Sequence, residues 1–224
     1  PGPSVSKLVP KVKTTANIVY RMYFVLTAVQ VIFLCAGGLD FFSALTLTFG
    51  TAGTGGFAIK NSGLAEYTPY VQNVITVFMI LFGVDFSLYY MLLLGNIRDV
   101  ARSDELRAYI GILIAATAVI TLNCRGLFDS LATTLRHAAF QVASITTTTG
   151  YSTADFDKWP ELSKTVLIVL MFMGACAGST AGGIKISRVV IWAKSIFKEV
   201  KTVSHPKRTY KITMNGRTVD HDVL

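Results

Sequence analysis

Two stretches of glycine and threonine carry the chemistry of this sequence, TAGTGGF at 51–57 and ITTTTGYS at 145–152. Each pairs small hydroxyl residues with glycine and closes on one aromatic. The matching positions are Thr54, Gly55, Gly56 and Phe57 in the first, and Thr148, Thr149, Gly150 and Tyr151 in the second. None of these is a useful acid, base or nucleophile. What they offer is oxygen, from backbone carbonyls and from threonine hydroxyls. Carbonyl oxygens gathered around a pore replace the hydration shell of a cation. Glycine opens φ values closed to other residues, and Phe57 and Tyr151 are expected to brace the loops from behind. A lone T-G-G-F is a turn in most proteins, so the reading depends on what surrounds each copy.

The surroundings are apolar. The chain has 224 residues, 52% hydrophobic and 15% charged, with mean hydropathy +0.52. Globular domains average about 25% charged residues. This composition excludes a disordered chain and points to an integral membrane protein rather than a soluble enzyme. The net charge of +8 does not mark a nucleic-acid binder, because the basic residues lie between apolar runs and form no compact basic domain. Cys35, Cys124 and Cys176 are odd in number and lack metal-ligand spacing.

A membrane span needs ~20 apolar residues, and runs of about 10–14 suggest re-entrant segments. Long runs cover 18–39, 70–95 and 108–123, and a fourth begins near Leu162. Between them, 41–50 and 128–144 are too short to cross, and each leads into a Gly/Thr loop. The order is helix, short half-helix, Gly/Thr loop, helix, twice over. Internal repetition of this kind is the strongest organising signal available, and the second half-helix reads as one turn longer. Irregular backbone at membrane depth survives only when buried in protein or lining a water-filled cavity. Each half-helix would point its partially negative C-terminus at its loop, which favours a cation.

Charge sets the orientation. Of 21 Lys and Arg residues, 16 lie in the lead-in (Lys7, Lys11, Lys13, Arg21), the connection (Arg98, Arg102, Arg107) and the tail from Lys185 onward. Excess positive charge marks cytoplasmic flanks, so the connections at 98–107 and 201–224 are expected in the cytoplasm and both loops outside.

The fourth run is cut by GACAGSTAGG at 174–183. Its residues are Gly174, Ala175, Cys176, Ala177, Gly178, Ser179, Thr180, Ala181, Gly182 and Gly183. Each interior glycine costs a helix roughly 0.5–1 kcal/mol against alanine, and four in ten residues cannot sustain one. Close helix packing of the GxxxG kind is one alternative. A phosphate loop is another, but the G-x-x-x-x-G-K-[ST] order and a preceding strand are missing.

These motifs together reach a family. The chain resembles the membrane subunits of the Trk/Ktr/HKT superfamily of potassium transporters, most like the bacterial Trk type. The resemblance rests on PGPSVSKLVPKVKTTA, TAGTGGF, HAAFQVASITTTTGYSTADFDKWP and GACAGSTAGGIKISR, which cover most of the chain. It implies four helix–pore-loop–helix repeats around one ion pathway, of which this sequence looks like the second and third. The opening PGPSVSKLVPKVK, without Met, reads as the middle of a longer protein. By resemblance Gly56 and Gly150 stand at the filter glycine, with Thr54, Gly55, Thr148 and Thr149 supplying oxygens to K⁺. Ala58 and Ser152 follow the aromatics where tetrameric potassium channels have a second glycine, which implies a shorter, less discriminating filter. The resemblance also implies that 174–183 is an intramembrane gate below the filter. A homodimer and a cytosolic nucleotide-binding regulatory subunit are implied as partners, with no cofactor on this chain and no transition metal. The locale it implies is the bacterial cytoplasmic membrane.

Smaller features remain. Asp85, mid-span, is a functional candidate by default, facing a pore vestibule or pairing with a neighbouring helix. His137 is read as a packing or hydrogen-bonding residue and Arg136 as an anchor. Asp155, Asp157 and Glu161 could concentrate cations at the mouth or be a solvated loop. Lys185 and Arg188 either contact the gate or anchor the helix by the positive-inside rule. His205-Pro206 ends the last helix, and Asn215-Gly216 in an alternating stretch predicts a hairpin.

The expected fold is therefore an all-α membrane protein of repeated helix–pore-loop–helix units with a broken last transmembrane helix. Its divisions are a lead-in at 1–16, one repeat at 17–97, a connection at 98–107, a second repeat at 108–200 and a cytosolic linker at 201–224. The expected function is potassium uptake, not enzymatic catalysis. Alternatives are a Na⁺-preferring or Na⁺/K⁺ transporter of the same superfamily, or a membrane scaffold subunit without an ion pathway.

Overall fold

The computed structural model describes residues 12–204, 213–215 and 217–218. The basic lead-in through Lys11 and the His205-Pro206 stop lie outside them. Helix α1, Val12–Ala36, leads to α2, Phe41–Ala52. Asp40 sets the start of α2, its carboxylate accepting the Ser43 N–H at 2.9 Å, as N-caps do. Then come α3 (Pro69–Phe82), α4 (Phe86–Leu93), α5 (Ile97–Ala101), α6 (Asp104–Asn123) and α7 (Leu131–Thr146). After a 3₁₀ turn at Phe156–Lys158 follow α8 (Glu161–Phe172), α9 (Ile186–Ser204) and the strands β1 (Thr213–Met214) and β2 (Arg217–Thr218). The strands pair antiparallel around Asn215, whose φ is +51°, giving the hairpin expected there.

Residues 16–36 of α1 and all of α6 are long and apolar enough to cross a membrane. At 12 residues α2 is too short, and α7 at 16 is one turn longer than α2. The run at 70–95, expected as a span, is bent within it: α3 and α4 meet at 89°. Gly83 caps α3, and Asp85 caps α4 by accepting the Ser87 N–H at 2.8 Å. A short acid that bonds its own backbone competes with a continuing helix. The fourth run is broken where its glycines require, α8 ending at Phe172 and α9 starting at Ile186.

Each short helix is packed between its neighbours in the chain. In the first half α2 packs on α1 and α3, with Leu47, Ile75, Met79 and Phe82 fully buried among them. In the second, α7 packs on α6 and α8 around Leu113, Ile120 and Leu167. The halves join through α3 and α7, where Phe140, Ala143 and Tyr151 enter the first core. The outer surface keeps Phe24, Phe42, Leu93, Phe172 and Phe197 more than two-thirds exposed. Apolar surface on that scale suits lipid or further protein, not water. In lipid the helices are held by close packing and hydrogen bonds rather than by exclusion of water.

Candidate functional site

The two Gly/Thr loops have one backbone. Thr54 and Thr148 both lie at positive φ, +50° and +57°, and Gly56 and Gly150 follow at +68° and +88°. A β-branched residue in the left-handed region is a genuine outlier, and two at equivalent positions mark a shared design. The amides of Gly55 and Gly56 both donate to the Gly50 carbonyl, at 2.8 and 3.3 Å. Those of Thr149 and Gly150 both donate to the Ser144 carbonyl, at 2.9 and 3.3 Å. Thr54 N and Thr148 N donate to Thr51 O and Ile145 O. All six amides are thus turned back onto their short helices. The six carbonyls of the same residues accept no hydrogen bond from the described residues. Gly55 and Gly150 are exposed, Thr54, Gly56 and Thr148 half-buried and Thr149 buried, so these carbonyls form an oxygen-rich surface open to water or to a ligand.

The loops touch. A Cβ on Gly56 would collide with the carbonyl of Thr149, whereas one on Gly150 would meet open space. Tyr151 crosses between the halves, its hydroxyl donating to Leu47 O at 3.2 Å and Phe57 O at 3.4 Å. Gly50 leaves the room this phenol occupies. Tyr151 is buried, but Phe57 is 80% exposed, so the bracing expected of both aromatics is performed by Tyr151 alone within the described residues. The space behind α2 is already filled by the tyrosine. A cleft of about 360 Å³ opens beside both loops, lined by Gly56, Asn61, Ser62, Gly150, Ser152 and Asp155 among others.

Residues 174–183 form a loop closed at its neck. Gly174 N donates to Ile184 O at 2.7 Å and Ile184 N to Phe172 O at 3.3 Å. The loop reaches both Gly/Thr loops: Thr54 Oγ1 donates to Thr180 O at 3.4 Å, and Gly182 N donates to Thr148 Oγ1 at 2.7 Å. It also fills the α3–α4 break. Cys176 N donates to Gly83 O, Thr180 N to Phe82 O, and Phe86 N to Gly178 O. Two broken helices thereby satisfy each other's freed backbone groups, as irregular backbone at membrane depth requires. Asp85 lies against Gly178, where its carboxylate would obstruct a Cβ.

Other singled-out residues have simpler roles. His137 Nδ1 lies 2.9 Å from Thr153 Oγ1, and its ring stacks on Phe128. Asp155 caps Asp157 N and pairs with Lys158 at 3.1 Å, and Glu161 pairs with Lys164 at 2.7 Å. In the cleft's outer loop, hydrogen bonds from Ser62 and Lys60 hold the exposed Glu66 carboxyl below its ordinary range. Lys185 Nζ donates to the Ala181 carbonyl, so it contacts the 174–183 loop, while Arg188 is exposed. Sequence reasoning passed over Gly50, Gly83 and Glu105. Gly83 beside an intramembrane acid was a signal; the other two depend on contacts distant in sequence.

Residues 108–224, just over half of the chain, match the TrkH cation transport protein family. The chain belongs to that family. It is 31% identical over its whole length to the Trk system potassium uptake protein TrkH of Salmonella typhimurium, and 29% identical to TrkG of Escherichia coli. In both it spans 47% of the relative's length. The crystal structure of the potassium transporter TrkH from Vibrio parahaemolyticus superposes with a TM-score of 0.87 at 26% identity, covering 96% of this chain and 47% of that one. The chain thus spans about half the length of the TrkH-family relatives it matches. It is an integral, multi-pass membrane protein of a transporter family, not an enzyme.

Proposed function

We propose that this chain supplies two of the pore-loop repeats of a potassium uptake pathway, with Thr54–Gly56 and Thr148–Gly150 as filter segments and 174–183 as the gate. One observation carries the reading. Six carbonyls, three from each of two loops of matching backbone, accept no hydrogen bond from the described residues, while all six amides are tied back. Oxygens so presented suit a dehydrated monovalent cation. The relatives named for potassium uptake support K⁺ as that cation. The gate reading is supported by a loop that hydrogen-bonds one threonine of each filter segment. The divisions at 17–97 and 108–200 correspond to the two repeats, with filters outward and the connections 98–107 and 201–224 cytoplasmic. A homodimer with a cytosolic nucleotide-binding subunit, in a bacterial cytoplasmic membrane, completes the proposal.

The test is Rb⁺ and Na⁺ uptake by a complete transporter carrying this chain, in cells without other K⁺ uptake, with and without Gly150→Ser. Saturable Rb⁺ uptake whose preference over Na⁺ is weakened by the substitution is expected. Uptake dominated by Na⁺ in the unsubstituted protein would replace this reading by the sodium-preferring one. Indifference to the substitution would favour a scaffold.

A further inference from the structure

Glu105 holds the broken span together, though nothing in its local sequence marks it. It is the second residue of α6 and only 8% exposed. Its Oε1 accepts the Ala177 N–H at 2.6 Å and the Ser187 N–H at 3.2 Å. Ala177 belongs to the 174–183 loop and Ser187 to the first turn of α9. One carboxylate oxygen therefore ties the loop and the following helix to α6.

Helix starts carry unpaired N–H groups that a side chain just upstream ordinarily caps. Here the upstream residue is Lys185, a donor occupied with the Ala181 carbonyl. The acceptor comes instead from another helix, and a carboxylate at a helix N-terminus is further favoured by the helix dipole. The loop's other holds on the surrounding helices and loops are neutral: backbone bonds to Phe82, Gly83 and Phe86, and the two threonine contacts; the charged Lys185 contact to Ala181 lies within the same segment and does not reach α6. Hydrogen bonds with one ionised partner are roughly twice as strong as neutral ones. Moving Ala177 away from α6 must break the bond to Glu105.

We propose that Glu105 is the latch that holds the 174–183 loop against the two Gly/Thr loops. The proposal rests on the gate reading above. Glu105 is a positioning residue acting through the Ala177 and Ser187 amides.

Rb⁺ uptake is measured for the complete transporter without its regulatory partner, as wild type, Glu105→Ala, Glu105→Gln and a variant with a shortened 174–183 loop, at matched membrane abundance. Glu105→Ala is expected to raise uptake about tenfold, the factor for losing one such bond, with Rb⁺/Na⁺ preference unchanged. Glu105→Gln keeps an oxygen that can accept both N–H groups and should rise less. If the shortened loop raises uptake while Glu105→Ala leaves it unchanged or lowers it, the latch is wrong and the gate stands. If neither raises it, the gate reading falls as well. Should Glu105→Ala fail to reach the membrane, the buried Cys176 serves as reporter in a Cys35/Cys124-free background. Its labelling by a membrane-permeant maleimide should be faster in Glu105→Asp, whose side chain is one methylene shorter, than in Glu105→Gln. Rates equal to wild type in both would overturn the latch.

Discussion

Gly56 and Gly150 occupy equivalent places in their loops, yet alanine would meet different surroundings at each. At Gly150 the added methyl faces open space and the cost is the positive φ of +88°, about 1–2 kcal/mol. At Gly56 the same strain applies, and the methyl collides with the Thr149 backbone as well. Gly56→Ala is therefore expected to lower the thermal midpoint of the detergent-purified transporter more than Gly150→Ala. Equal shifts would mean the two loops do not approach each other as described. Tyr151→Phe removes the hydroxyl from Leu47 O and Phe57 O, at a cost of about 1 kcal/mol. On the proposed reading it should also weaken Rb⁺/Na⁺ preference, since that hydroxyl joins the two halves behind the loops; unchanged preference would confine it to stability. The correspondence of TGGF with TTGY was legible in the sequence because type and spacing repeat. The left-handed Thr54 and Thr148 were not, because β-branched residues avoid that region. They are held there by paired amides converging on Gly50 and Ser144. Gly50's role was hidden for another reason: the phenol it admits lies about a hundred residues away.

At the scale of elements, the two broken helices depend on one another. The long apolar run at 70–95 reads as one span by hydropathy, since hydropathy is blind to a bend whose exposed groups find protein partners. Gly83 and Asp85 were the local signs. Asp85→Ala removes the α4 cap and should cost about 1 kcal/mol. Because the α3–α4 break contacts the 174–183 loop, it should also speed maleimide labelling of the buried Cys176; labelling at the wild-type rate would mean the two breaks are independent. The hairpin expected at Asn215 is tied to α6: Asp104 accepts from Lys194 Nζ at 2.8 Å and from Asn215 N at 3.2 Å. Both partners are partly exposed, so Asp104→Ala should cost no more than about 1 kcal/mol. Limited proteolysis should cleave the hairpin faster in that variant while the membrane helices stay intact. The alternation around Asn215-Gly216 announced the strands, but not the acid that anchors them.

For the molecule as a whole, composition and charge were enough to reach a multi-pass membrane protein, because apolar fraction and basic flanks are additive properties of a sequence. The joining of the halves was not additive. It arises from α3 against α7, Tyr151 behind α2, and one glycine-rich loop touching a threonine in each half. The exposed apolar faces of α1, α2 and α8 leave surface for lipid and for further protein, in keeping with a chain that spans about half of its relatives. The most direct measurement is anomalous diffraction from Rb⁺-soaked crystals of the complete transporter. The proposed pathway predicts an Rb⁺ peak in contact with backbone oxygens from both 54–56 and 148–150. A transporter that carries Rb⁺ but shows its peaks elsewhere, with those carbonyls turned from the ion, would contradict it.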